Sequence, residues 1–309
     1  MIKEIDEYLH ELKGKTASSE LYHFNFIDKK SKVFGFADIT LNSRNRKIDL
    51  AWSIQLDDKR FPYHSRIDAA GLKSEKRITD GHFDYRIAAS QGKFKLTLKN
   101  EEVNASFDIA SSYPIYEFPK LQAEDIEGQK LCEDINLWDH YEQRCRFSGT
   151  VAIKKGVTRK VDCFGHRYHS WGNMLTDRVT CKSILSIQFK DMEMNLFFLE
   201  VGGASVSNGF ISRRSGNIPI NKVDLELMSF DKSLANPVST EFSYRDAQDD
   251  VDLIVSRRLH TVELPVPDKL KGQYIWYRNF SDFTVIGSNK KGVGLEDHFI
   301  SVARLKSMD

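Results

Sequence analysis

The sequence predicts an all-β protein: two antiparallel β-barrels or sandwiches in tandem behind a short N-terminal helix. Three observations lead there. The chain has 309 residues, which suits two domains of about 150 residues better than one. Short segments with a period of two, bounded by turn residues, recur along most of it. After residue 14 no long segment keeps apolar residues at helical spacing. Closed or stacked sheets best accommodate so many short strands in two runs.

Residues 2–13 place Ile2, Ile5, Leu9 and Leu12 at helical spacing with Gly14 as a stop, which predicts an amphipathic helix packed on the first domain. The period then changes. Ile48, Leu50, Trp52, Ile54 and Leu56 alternate with Asp49, Ala51, Ser53 and Gln55, the pattern of a half-buried strand. Segments 83–89, 94–98 and 103–109, with a turn at Gln91-Gly92, read as an antiparallel meander. Tyr113 to Asp139 breaks the pattern with Pro114, Pro119 and Gly128 and reads as a crossover or pocket-edge loop. Strands resume at 142–153, 179–189 and 192–201, with Lys190-Asp191 as a hairpin tip. Further strands are expected at 223–230, 251–260, 274–277 and 283–286, with Pro265 and Pro267 marking a break. The loop-rich waist sets the expected domains at 1–140 and 141–309.

Forty-five basic and forty-four acidic residues leave a net charge of +1 without a basic block, which argues against nucleic acid or an anionic surface as partner. Cys132, Cys145, Cys163 and Cys181 are scattered singly, as in a reduced, cytoplasmic setting. The N-terminus is acidic where a secretory leader is basic, and no apolar run is long enough to span a bilayer. Peripheral membrane contact stays open, since an apolar substrate has to come from somewhere. An aromatic content of 11% fits wide pleated surfaces or an apolar ligand cavity. Oligomeric state is not readable.

The run from Asp162 to Asn173 packs His166, Arg167, Tyr168, His169 and Trp171 between Gly165 and Gly172. Such groups are costly to bury without partners, so in a β framework they point to a pocket that is part polar and part apolar. Two chemistries fit. In the first, a desolvated Glu200 or Glu142 stays protonated and adds a proton to an alkene, while Trp171, Tyr168 and Phe198 offer π faces to the cation. In the second, His169 or Arg167 polarises a carbonyl while the cavity folds a polyene for cyclisation. A zinc reading of Cys163, His166 and His169 with Asp162 is poor, because residues three apart on a strand face opposite ways unless Gly165 bends the chain. No metal and no cofactor are expected. In a purely structural reading Trp171 plugs a barrel, Arg167 pairs with Glu142 across strands, and the two glycines allow a bulge. Ser170 lacks a nucleophile elbow, and Arg213-Arg214 and Arg257-Arg258 read as solvated faces.

His140-Tyr-Glu142-Gln143 leading into Arg146-Phe-Ser-Gly149-Thr-Val151, followed by Gly165-His-Arg-Tyr-His-Ser-Trp-Gly172, resembles the tandem lipocalin-like (calycin) superfamily. That group includes carotenoid 1,2-hydratase (hydroxyneurosporene synthase), AttH-like proteins and fungal Diels–Alderases. Within it, the chain is most similar to uncharacterised bacterial members with H-x-E-Q and G-x-R-D-H-S-W-G. Gly292-Val-Gly294-Leu-Glu296 resembles the closing G-x-G-x-E of the group. The resemblance implies lipocalin-like domains, the second carrying H-x-W. The hydratases have an acid before H-x-W and a later Tyr-x-Asp; here those places hold Tyr168 and Phe198-Leu199-Glu200. A phenol titrating at about 10 is a poor acid at neutral pH, and Phe198 has no hydroxyl.

The expectation is a protein that binds a hydrophobic small molecule, an isoprenoid or polyketide. It transforms that molecule by cofactor-free cyclisation, isomerisation or hydration, as a lyase or isomerase. The expected catalytic residues are His169, Tyr168 and Glu200, and Trp171, His166, Arg167, Glu142 and Phe198 are expected to line the ligand. The alternative is a non-catalytic lipid carrier.

Overall fold

A computed structural model describes residues 2–10, 18–42, 45–72, 74, 76–120, 126–135, 138–154, 156–173, 179–230, 237–288 and 290–306. One compact unit comprises Met1–Phe118 with Leu137–Met174, and the other Pro119–Asn136 with Leu175–Asp309. The first holds β1 (Ser18–Asp28), β2 (Val33–Asn42), β3 (Lys47–Leu56), β4 (Lys59–Asp68), β5 (Arg77–Thr79), β6 (Phe83–Ala89), β7 (Lys93–Lys99), β8 (Val103–Ser111), β9 (Tyr116–Glu117), β10 (Trp138–Ile153) and β11 (Thr158–Asn173). These form one curled antiparallel sheet in the order β4-β3-β2-β1-β11-β10-β8-β7-β6-β5, with β9 on β10.

The second unit begins with helix α1 (Ile126–Ile135). It continues with β12 (Cys181–Gln188), β13 (Glu193–Val201), β14 (Ala204–Arg213), β15 (Gly216–Phe230), β16 (Pro237–Asp246), β17 (Val251–Glu263), β18 (Tyr274–Val285), β19 (Lys290–Ser301) and α2 (Val302–Lys306). Pairing of β12 with β19 closes these eight strands into a barrel.

The nearly all-β architecture in two units matches the expectation, and several details differ. Helical spacing over residues 2–13 yields only one 3-10 turn, Glu4–Glu7; residues 11–13 lie outside the described part. Ile5, expected on a packed face, is exposed, and Glu7 is fully buried instead, drawn into the sheet by Arg167. The waist is not a plain loop, since it contributes β9 and the ten-residue α1, whose Leu131 and Cys132 are buried. The first unit also runs past the expected 140/141 boundary. β10 and β11 pair with β8 and β1, so the strand bearing His169 and Trp171 belongs to the first unit.

Alternation builds each core. Ile48, Leu50, Trp52, Ile54 and Leu56 on β3 join Phe24, Phe83, Leu96 and Phe107, with the Trp52 indole edge-on to Phe83 at 5.7 Å. Truncating such an aromatic to alanine costs about 3–5 kcal/mol. In the barrel Leu185, Met194, Phe198, Phe242 and Phe283 pack together. A polar chain shares that interior: Ser183 Oγ lies 2.8 Å from His298 Nδ1, and His298 Nε2 lies 3.1 Å from Glu296. Burial alone would raise the Glu296 carboxyl, but His298, Ser281 and Thr240 hold it below its ordinary value.

Candidate functional site

β1, β11 and β10 lie side by side in the first sheet, and their register sorts the polar residues onto two faces. Tyr22 pairs with His169, Phe24 with Arg167 and Phe26 with Gly165, while Tyr141 and Gln143 on β10 pair with His169 and Arg167. Tyr22, Phe24 and Phe26 belong to the hydrophobic core, so Arg167, His169 and Trp171 point to the core face. The opposite face takes the alternate residues: His166, Tyr168 and Ser170 from β11, His140, Glu142 and Arg144 from β10, and His23 and Asn25 from β1. β11 runs unbroken through Gly165, where a Cβ would run into the Asn25 carbonyl and the Phe147 ring. Gly165 thus serves close packing and makes no bend, and His166 and His169 cannot share an ion with Cys163. Burial also pushes the Cys163 thiol well above its ordinary pKa.

On the opposite face Glu142 is held between two imidazoles. Its Oε1 lies 2.5 Å from His140 Nε2 and its Oε2 3.1 Å from His166 Nε2, with all three residues buried. Desolvation alone would raise this carboxyl, but the imidazoles outweigh it and lower the pKa to about 2. Glu142 is therefore an anion, which overturns its expected role as a protonated acid. An ionised carboxylate only accepts, so His140 Nε2 carries the proton and Nδ1 faces away. Phe118 and Trp138 stand 4.7 Å from the His140 ring and Tyr168 5.1 Å. His140 Nδ1 and Ser170 Oγ are buried without a hydrogen-bond partner among the described residues, and these two residues are directly paired across β10 and β11. Tyr168 stacks on His23, whose Nδ1 lies 2.6 Å from Asp38.

On the core face both ring nitrogens of His169 are engaged, while His10 Nε2, Trp52 Nε1 and the Tyr85 hydroxyl are buried without a hydrogen-bond partner among the described residues. His169 Nε2 lies 2.7 Å from Glu20 Oε1, Nδ1 lies 3.1 Å from the Tyr141 hydroxyl, and the ring stacks on Tyr22 at 3.9 Å. His10 donates its backbone N–H to Glu20 Oε2 at 2.9 Å, sets Nδ1 3.0 Å from Oε1, and stacks on Trp171 at 4.1 Å. Burial lowers the His169 pKa despite Glu20 beside it. Burial alone would raise Glu20, yet hydrogen bonds from His10 and His169 keep it below its ordinary value. Arg167 donates to Glu7 at 2.8 and 3.2 Å and to Gln143 Oε1 at 2.8 and 3.0 Å. Its guanidinium also lies over Phe94 at 4.4 Å. Arg167 pairs with Glu7, therefore, and not with Glu142, and four of its five N–H donors are held by Glu7 and Gln143.

Of the expected site residues, the structure thus gathers Glu142, His166 and Tyr168 on one face and Arg167, His169 and Trp171 on the other. Glu200 and Phe198 lie in the second unit, where Glu200 is 3.4 Å from Arg304 and Phe198 packs in the barrel core. His140 was within reach of sequence reasoning, because H-x-E on a strand puts both side chains on one face. Tyr22, Phe24 and Phe26 alternate with His23 and Asn25, a period-two signal that places Glu20 on a strand, whereas His10 lies ahead of β1 where no pattern marks it. Arg213, Arg214 and Arg257 are exposed, as expected.

The family model for a domain of unknown function, DUF7064, matches residues 3–297. No curated protein has a matching sequence. Among solved structures, an AttH-like protein from Nitrosomonas europaea superposes with a TM-score of 0.68 at 12% identity, covering 94% of each chain. CghA in complex with Sch210972 superposes at 0.63 and 13%, over 92% of this chain and 89% of its own. Kievitone hydratase from Nectria haematococca gives 0.61 and 7% over the same shares. These likenesses establish a shared two-unit fold.

Proposed function

As the chain belongs to the DUF7064 family, we propose that this member binds a hydrophobic small molecule against the His140 face of the β1–β11–β10 sheet and rearranges it by cofactor-free proton transfer. The observation that carries this is His140. Its Nε2 is anchored on an ionised carboxylate, its Nδ1 is buried without a hydrogen-bond partner among the described residues, and three aromatic rings surround it. A buried, orphaned ring nitrogen calls for a ligand atom or a water. A carboxylate behind an imidazole fixes the tautomer and stabilises the imidazolium that forms when Nδ1 takes a proton. Ser170 Oγ, the cross-strand neighbour, offers a second polar contact, and Tyr168 a π face and a hydroxyl. His169 and Trp171 lie behind the strand and position it.

The charge state narrows the substrate. Protonating an isolated alkene needs a strong acid in a dry cavity, and Glu142 is not protonated. An imidazole can instead move protons next to a carbonyl or a phenol. An isoprenoid or polyketide with such a group, undergoing isomerisation, cyclisation or hydration, fits best. The fold relatives support the reading in kind, one being named a hydratase and another solved with Sch210972 bound.

The test is incubation of the pure protein with an organic extract of the native cells, followed by mass spectrometry. Wild type should deplete a compound and yield a product of equal mass or one water heavier, and His140→Gln should not. A ligand that co-purifies unchanged with both proteins and is never converted would establish a carrier in place of an enzyme.

A further inference from the structure

We propose that His10, Glu20 and His169 form a binding site for one divalent transition-metal ion, with zinc as the fitting probe, and that this ion fastens the N-terminal segment to β1 and β11. The site lies on the core face and is independent of the His140 reading. One ligand atom from each of the three residues falls within 4.8 Å of the others. More telling is that the atoms converge: the single oxygen Glu20 Oε1 lies 3.0 Å from His10 Nδ1 and 2.7 Å from His169 Nε2. On the opposite face Glu142 gives each imidazole a different oxygen, and among the described residues that trio does not bring its ligand atoms together as His10, Glu20 and His169 do.

Zinc holds nitrogen and oxygen ligands at about 2.0–2.2 Å in a tetrahedron, which sets neighbouring ligand atoms about 3.4 Å apart. To reach that spacing His10 Nδ1 would move about 0.4 Å and His169 Nε2 about 0.7 Å from Glu20 Oε1, shifts within reach of small side-chain rotations. The supporting contacts suit such a site. Tyr141 contacts the other nitrogen of His169, Tyr22 stacks on that ring, and Trp171 stacks on His10. Partners of this kind orient metal-bound imidazoles. Three protein ligands leave a fourth position open, and the partly exposed His10, 21% accessible, gives the ion a way in. Two imidazoles and one carboxylate also suit iron(II). Because the ligands come from residues 10, 20 and 169, the ion would cross-link the N-terminal segment and β1 to β11, 149 residues further along the chain. It would also lock in place Glu7, three residues before His10 and the partner of Arg167.

The experiment uses the full chain, stripped with EDTA and dialysed against zinc chloride, with metal content by elemental mass spectrometry and melting by circular dichroism. One zinc per chain is expected. At a zinc concentration about a hundredfold above Kd, Tm should rise by on the order of 5–10 °C. His10→Gln and Glu20→Gln should each lose both effects, whereas His64→Gln, at an exposed histidine of β4, should keep them. Wild-type protein carrying ¹⁵N-histidine gives a check free of variants, because zinc should shift the ring nitrogens of two histidines only. Retention of iron or manganese in place of zinc, lost in the same two variants, supports the site with another ion. No retained metal, equal retention by both variants, or histidine shifts scattered over the chain would overturn the proposal.

Discussion

The two faces of the β1–β11–β10 sheet carry the same three groups, a carboxylate between two imidazoles, and put them to different use. On the core face Glu20 gathers both histidines on one oxygen, and both nitrogens of His169 are taken up by protein. On the opposite face Glu142 gives each histidine its own oxygen, and His140 keeps one nitrogen without a hydrogen-bond partner among the described residues. Residue type therefore does not distinguish scaffold from site here. What distinguishes them, among the described residues, is where the unspent ring nitrogen sits: on the core face it is His10 Nε2, at the partly exposed end of the row, and on the opposite face it is His140 Nδ1, enclosed by aromatic rings, with alternation along β10 and β11 setting the face of each side chain.

The sharpest way to break this contrast is Arg167→Leu. The change leaves the fully buried Glu7 carboxylate without its cation and also removes the contact over Phe94. Breaking one partner of a buried pair costs about 3–5 kcal/mol. Urea unfolding should show that loss, and a cost below about 1 kcal/mol would mean that the core face is not the scaffold described above.

His140→Gln should behave in the reverse way. Loss of a positioned proton-transfer group lowers turnover by about 10²–10⁴-fold. The amide can keep a hydrogen bond to Glu142, so the urea midpoint should move little. A variant that unfolds easily yet keeps its turnover would exchange the roles assigned to the two faces.

Acid should undo the faces in sequence. His169 titrates below the ordinary imidazole value in the fold, so the unfolded chain takes up its proton first, and this contribution to stability fades as the pH drops below about 6.5. Glu142 titrates at about 2 in the fold and 4.5 otherwise, so its contribution is complete above 4.5 and is lost as the pH falls from there toward 2. Glu20, also held below its ordinary value, adds to the lower window. Urea midpoints from pH 8 to pH 3 should therefore decline in two stages. His169→Gln should remove the upper stage, and Glu142→Gln should reduce the lower one.

How much of this was legible follows from the range of the signals. Alternation over β3, β6, β7 and β8 is local, so those strands and the all-β class could be read directly. The H-x-E spacing and the cluster at 166–171 marked the right strands for the same reason. The pairing of β11 with β1 joins Ser18 to Asn173, and nothing in a local pattern reports it, so neither the extent of the first unit nor the meeting of Glu20 with His169 is readable there, although the alternation of Tyr22, Phe24 and Phe26 marks β1 itself. Glu142 was read as a protonated acid because burial raises a lone carboxyl. The two imidazoles that reverse the sign are supplied by residues 140 and 166, and the second comes from another strand. Arg167 was matched to Glu142 as a nearby strand acid, whereas its partner Glu7 lies 160 residues away.

The smallest effect expected is at the join between the faces and the N-terminal segment. Trp171 is partly exposed and lies at the end of the core-face row, with its indole 4.1 Å from the His10 ring and nearly parallel to it. A stacked ring pair is worth about 0.5–1.5 kcal/mol beyond its buried area. Trp171→Phe keeps an aromatic ring in that place and should cost less than about 1 kcal/mol, while Trp171→Leu removes the stack and should cost more than Trp171→Phe by about the stacking energy. Neither should alter turnover, since the indole points away from His140. Should Trp171→Leu abolish turnover while leaving the urea midpoint unchanged, the ligand would have to lie on the core face, and the division between scaffold and site would have to be reversed.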